Sequence, residues 1–206
     1  MTERGTVMRT APRRRALLVT AATVAAAALT GCSAQQVDQT APGREYAFTG
    51  ATAAGAVVTA ARRAPAPPFG GELLDGTSFD SVALTGSIAV INFWGSWCAP
   101  CRLETPELQA LHADLADRGV QFLGVDVKDQ RQFAVAFDQR LGVTYPSLFD
   151  PRGEVALAFR GFPANVVPST ILLDRRGRVA AVYTGAVRGS DLRSALNRLL
   201  GEPIDG

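Results

Sequence analysis

Cys98 and Cys101 are the residues of this chain best suited to chemistry. They stand three apart in Trp97-Cys98-Ala99-Pro100-Cys101, between an apolar run and a stretch of helical spacing. A sulfur at a helix N-terminus faces unpaired backbone N–H groups and the positive end of the helix dipole, and both favour a thiolate. A second cysteine one turn further in can close a small disulfide ring with the first. The spacing suits Cys98 as an exposed attacking sulfur and Cys101 as a shielded one that resolves a mixed disulfide. Pro100 limits the freedom of the loop and fits a first helical turn. As a structural staple the pair would clip almost no chain and stabilise little. Structural zinc usually takes four Cys or His groups; here the further candidate is His112, and there is no second CxxC. Arg102 stands where covalent haem attachment needs a histidine. His112 reads as a solvated helix residue without a role.

The elements around the pair follow from periodicity. Ile88 to Trp94 is a mostly apolar run, the pattern of a strand buried on both faces. A helix should begin near Cys98, with Leu108, Leu111 and Leu115 inward, a kink at Pro106 and Gly119 as its C-cap. Val120 to Val127 reads as a second buried strand. Phe133, Phe137 and Leu141 mark another amphipathic helix, ended by Gly142, and residues 154–159 a short helical turn. Strands over residues 169–173 and 179–183 flank the turn Asp174-Arg175-Arg176-Gly177-Arg178. A last helix, capped by Ser190 or Asp191, carries Leu192, Ala195, Leu196 and Leu199 on one face. This order implies an α/β fold: a central mixed sheet with helices on both faces.

The 206 residues suffice for one domain with attachments, and 47% of them are hydrophobic. The net charge of +2 belongs to the leader: residues 1–31 hold five arginines and one acid, and the remainder carries a net −2. No basic stripe marks a nucleic-acid binder. Arg13-Arg14-Arg15 precede an apolar run over residues 16–29, shorter than the about 20 residues a membrane span needs. Residues 1–31 therefore read as an export signal, with the arginines leaving Sec and twin-arginine routes open. Leu29-Thr30-Gly31-Cys32 resembles the bacterial lipobox, which makes Cys32 a lipidation site and the mature chain membrane-anchored on the extracytoplasmic face. Residues 32–68, rich in Ala, Thr, Gly, Gln and Pro, read as a tether, with a short strand at Tyr46-Ala47-Phe48. Residues 69–206 form the expected domain.

Residues 91–106, with Trp97-Cys98-Ala99-Pro100-Cys101 followed by Arg102-Leu103-Glu104-Thr105-Pro106, resemble the active-site segment of the TlpA/ResA-like thioredoxin family. The resemblance runs from about Phe69 to the C-terminus. It implies a thioredoxin-like fold and a redox-active pair at Cys98 and Cys101. It implies that Val167-Pro168 holds the family's cis-proline, facing the pair and contacting an extended substrate strand together with Trp97. It implies that Glu104 matches the family's acidic residue, able to move a proton to or from Cys101. Asn92 takes the position of a buried acid in many cytoplasmic thioredoxins and cannot titrate. Trp94 packs the strand, and Gly185 matches a family glycine near the last strand. No cofactor is implied. The expected activity is reduction of disulfides in exported proteins such as apocytochrome c, by a monomer recharged from a membrane thiol donor such as a CcdA-like carrier. A disulfide-forming oxidase is the nearest rival. A copper-binding chaperone, from another class, lacks a distant His or Met ligand, and a peroxidase lacks its threonine turn and activating arginine.

Overall fold

The computed structural model describes residues 55–159, 162 and 166–203. The leader, Cys32 and the strand expected at Tyr46-Ala47-Phe48 lie outside these residues. The chain opens with a two-residue strand, β1 (Ala56–Val57), and a hairpin of β2 (Gly70–Glu72) and β3 (Ser78–Asp80). Then come β4 (Ile88–Trp94), α1 (Ala99–Leu115), β5 (Val120–Val127), α2 (Arg131–Leu141), β6 (Ser147–Asp150) and α3 (Glu154–Ala158). The hairpin β7 (Ser169–Leu173) and β8 (Val179–Thr184) and the helix α4 (Gly189–Leu200) complete the order. The six-stranded sheet runs β1-β8-β7-β4-β5-β6, with β4, β5 and β6 parallel and β7, β8 and β1 antiparallel.

β4 lies at the centre, and all seven of its residues are buried. That explains why its sequence is an almost unbroken apolar run instead of an alternation. Ile88 and Val90 face a core made with Leu108, Leu111 and Leu115 of α1 and Leu192 and Leu196 of α4. Ala89, Ile91 and Phe93 face the opposite core, with Val155 and Ala156 of α3, Phe69 and Phe159. α2 flanks α1, its Ala134 and Phe137 packed against Trp94. α2 ends at Gly142 (φ 65°) as expected, whereas α1 ends at Leu115 and runs into a short 3-10 turn, Ala116–Arg118, which Gly119 (φ 81°) closes; both glycines take left-handed backbone that a side chain would resist. α1 continues through Pro106, which lies on its exposed side.

Three expectations change. First, the globular part begins before Phe69. β1 pairs with β8, the Val179 N–H donates to Ala64 O, and the Ala66 N–H donates to Gly177 O. Arg63 is buried against Asp174 (3.2 Å) and bridges both carboxylate oxygens of Glu202 (2.6 Å each). The Ala/Pro composition read as a spacer, but an extended segment with free N–H groups can also extend a sheet edge. Second, α4 starts at Gly189 after Arg188, and its first N–H is accepted by Glu107 of α1 instead of by Ser190 or Asp191. Third, His112 is half-buried, edge-on to Phe122 and Tyr145 with ring centroids 5.6 Å away. Burial lowers its pKa. It sits on the inward margin of α1, beside Leu108 and Leu111.

Arg63→Ala tests the clamp. The buried Asp174 keeps Arg178 and two backbone donors but loses a charged partner, at a cost of about 2 kcal/mol. Thermal unfolding should move down by about 6 °C; a melt within a degree of the parent would mean the clamp contributes nothing.

Candidate active site

The site is built where β4 runs into α1. Gly95, Ser96 and Trp97 make the turn, and the Cys98 N–H donates to Gly95 O (3.0 Å). The turn is fastened at two points, to the end of β5 and to the loop that follows it. The Ser96 N–H donates to Asp129 Oδ2 (2.6 Å), and the Trp97 indole N–H donates to Val127 O (3.3 Å). A Cβ on Gly95 would lie 2.5 Å from the Trp97 indole nitrogen, so a side chain there would displace the indole. Trp97 itself is 51% exposed, whereas Trp94 is buried and stacked on Phe137 at 4.6 Å.

Cys98 is the N-cap of α1. Its Sγ accepts from the Cys101 N–H at 3.2 Å, in place of the hydroxyl or carboxylate usual at this position. The two sulfurs form a disulfide with a Cα–Cα distance of 5.3 Å. Cys101 is fully enclosed and Cys98 is 3% exposed. The spacing suits Cys98 as the exposed sulfur, but in this oxidised form it is recessed. Its side chain turns inward to cap the helix and bond to Cys101, while Trp97, Ala99 and Pro100 form the exposed rim above it.

The Val167–Pro168 peptide bond is cis, the geometry the resemblance implied. Val167 is half-buried and packs into the cluster of Trp94, Cys98, Cys101, Ala134 and Phe137. Pro168 is buried, and its carbonyl accepts from the Gly185 N–H at 2.9 Å, with Gly185 at φ 88°. Gly185 thus holds the segment carrying Pro168 from the neighbouring strand end.

Glu104 lies one turn after Cys101 on the same buried face of α1 and is 3% exposed. Its Oε1 accepts from the Asn92 amide (2.9 Å) and its Oε2 from the Val187 N–H (2.9 Å). Burial outweighs both donors and pushes its pKa up to about 7, with Glu107 adding a smaller push. Asn92 also donates to Thr170 Oγ1 at 3.0 Å. Sequence reasoning treated Asn92 as a residue that could not titrate and missed it as the donor holding Glu104. The available signal was a polar side chain inside a fully apolar strand. Val187 acts through its backbone and left no signal in its type.

The site as built joins an N-capping sulfur, an enclosed second sulfur, a cis-proline segment and a buried acid that titrates near neutrality. Such a set can exchange electrons between its own disulfide and another. Residues 63–182 match the family model described as the AhpC/TSA family. The chain is 31% identical over 134 residues to the thiol-disulfide oxidoreductase ResA of Geobacillus thermodenitrificans, covering 65% of this chain and 75% of that protein. Among solved structures it resembles a DsbF homologue from Corynebacterium diphtheriae (35% identity, TM-score 0.71, covering 75% of this chain and 98% of that one). It also resembles a secreted thiol-disulfide isomerase from Corynebacterium glutamicum (33% identity, TM-score 0.72, 77% and 98%). The chain therefore belongs to the AhpC/TSA family and is a thioredoxin-like thiol–disulfide oxidoreductase of the ResA kind.

Proposed function

We propose that the protein reduces disulfides in exported proteins on the outer face of the membrane, with apocytochrome c as the favoured substrate class. The observation that carries this reading is the disulfide at the N-terminus of α1 beside a buried acid that titrates near neutrality. In the reduced enzyme the Cys98 thiolate attacks one sulfur of a substrate disulfide. A mixed disulfide forms, and the other substrate sulfur leaves as a thiolate and takes up a proton. Cys101 loses its proton and attacks the Cys98 sulfur, so the second substrate sulfur leaves. Two electrons have passed to the substrate, and Cys98–Cys101 is oxidised. Glu104 is our candidate for the group that takes the Cys101 proton, and Trp97, Val167 and Pro168 for the surface that receives the substrate backbone. A membrane thiol donor, such as a CcdA-like carrier, then reduces the pair. The lipobox-like Leu29-Thr30-Gly31-Cys32 supports a lipid anchor on Cys32; among the described residues no helix is long and apolar enough to cross a membrane.

The similarity to proteins described as a DsbF homologue and a secreted thiol-disulfide isomerase favours a second reading, in which the protein introduces or rearranges disulfides. The reduction potential separates the two, since direction depends on the relative stability of the redox forms. A value well below that of the glutathione pool supports the reductase, and a strongly oxidising value the alternative.

Two outcomes test the residue roles. A Cys101→Ser variant should retain its natural partner as a mixed disulfide on Cys98, recovered from membranes under non-reducing conditions. A Cys98→Ser variant should retain none; equal capture by both would remove Cys98 from its role. Glu104 gives a pH signature. Its folded pKa is raised from 4.5 to about 7, so the folded protein holds a proton that the unfolded chain has given up. The contribution of Glu104 to stability is therefore fully present below about pH 4.5 and is lost as pH rises through 7. Glu104→Gln should remove roughly 3 kcal/mol of that decline, at about 1.4 kcal/mol per pKa unit. It should also slow the resolving step above pH 7, where the parent carboxylate can take the Cys101 proton and the amide, which also presents an N–H to one of its two donors, cannot. Parallel stability–pH curves for parent and variant would count against a titrating Glu104.

A further inference from the structure

A second carboxyl group lies on the face covered by the disulfide, and the electron exchange above does not use it. Asp126 stands opposite Trp94 in the parallel register of β5 with β4, and paired residues project to the same side of a sheet. On that side Trp94 packs with Cys98, Cys101, Ala134 and Phe137. Asp126 is 0% exposed, and neither of its oxygens accepts a hydrogen bond of ordinary geometry among the described residues. The space around it is tight: a Cβ on Gly124 would lie 2.7 Å from the Trp94 indole nitrogen and 2.4 Å from Ser147 Oγ. Ser147 Oγ is likewise buried, with the Asp138 carboxyl as its polar neighbour.

The charged groups facing Asp126 are of its own sign. Asp129 follows β5 and Asp138 comes from α2, while Asp150 of β6, in register with Val127, adds a smaller push from the other side of the sheet. From α1 the buried group on this side is Glu104, whose two oxygens are already occupied by donors. The cations nearby are committed elsewhere. Lys128 is exposed, and Arg131 binds Glu72 and the Leu73 and Leu74 carbonyls while lying over the Phe149 ring. Burial first, and then these neighbouring carboxylates, push the pKa of Asp126 up to about 8. Asp138 is itself raised to about 7 by burial. Glu104 can lose its proton and keep two donors, whereas Asp126 would be left bare. A bare buried carboxylate responds strongly to any second negative charge placed beside it.

We propose that Asp126 is a positioning residue for the redox pair: it stays protonated beside the Cys98 thiolate of the reduced enzyme, gives up that proton more readily beside the uncharged disulfide, and so couples reduction to uptake of one further proton. This rests on the reading of Cys98 as the attacking sulfur. Reduction by glutathione converts the disulfide and two glutathione thiols into glutathione disulfide, the Cys101 thiol and the Cys98 thiolate, with release of one proton. In the parent the Asp126 proton adds to that balance over the pH interval in which only the reduced form keeps it. Asp126→Asn is neutral throughout and adds nothing.

The test is the equilibrium of the full chain with reduced and oxidised glutathione from pH 6 to 10, for the parent, Asp126→Asn and Asp138→Asn. Across the interval the ratio of the parent's constant to that of Asp126→Asn should fall about tenfold per pH unit, or about 30 mV. Asp138→Asn removes one repelling charge and should move the interval to lower pH. Parallel curves for parent and Asp126→Asn overturn the proposal. Should Asp126→Asn fail to fold, an Asp138→Asn interval that does not move overturns it instead. Iodoacetamide labelling of the reduced chain separates this from failure of the underlying reading. An adduct on Cys101 in place of Cys98 would overturn both, whereas parallel curves with the adduct on Cys98 overturn the coupling alone.

Discussion

One carboxyl group joins three elements that the chain keeps far apart. Glu104 of α1 receives the amide of Asn92 from β4 and the backbone N–H of Val187 from the segment between β8 and α4. Those two donors fix how α1 sits on the sheet, and so where its N-terminus points. Cys98 occupies that N-terminus, so the position of the outer sulfur depends on a hydrogen-bonded acid one and a half turns below it. The enclosure that makes these bonds strong also raises the pKa of the acid. Orientation of the helix and proton affinity at the site are thus two effects of one burial.

The ground under the disulfide is built from acids and an amide, with cations kept at its edges. Asn92 is neutral, Glu104 titrates near 7, and Asp126 and Asp138 are raised to about 8 and 7. No described arginine or lysine reaches into this layer to fix a negative charge there. The field on the sulfurs is consequently set by how many protons the layer holds. The helix dipole supplies a constant favourable term for the thiolate, and the layer supplies a variable unfavourable one.

What was legible in the sequence was what neighbouring residues decide among themselves. The all-apolar β4, the left-handed glycines at 119 and 142, the turn at 174–178 and the inward leucines of α1 and α4 follow from local periodicity and backbone freedom. The Cys98–Cys101 pair was legible because both partners lie within one helical turn. What was hidden depends on partners brought together by the fold. The acceptor for the first N–H of α4 is Glu107, 82 residues away, whereas local sequence offers only Ser190 or Asp191 as a cap. Arg63 meets Asp174 across 111 residues, so its segment looked like an untied spacer. The recessed position of Cys98 follows from a side chain turning inward to cap its own helix, which spacing alone does not specify. Asp126 gave no sign at all, being one acid at the end of an apolar strand whose lack of donors appears only once β4, β6 and α2 surround it.

The chain has two tryptophans, and they are Trp94 and Trp97. Trp94 packs in the cluster that holds both sulfurs, and the Trp97 indole lies against Gly95 at the turn leading to Cys98. A disulfide readily accepts an electron from an excited indole, whereas a pair of thiols does so poorly. All of the protein's tryptophan emission therefore originates beside the group that gains and loses electrons. The molecule carries its own optical reporter of oxidation state, without a label and without background from a distant chromophore of the same type.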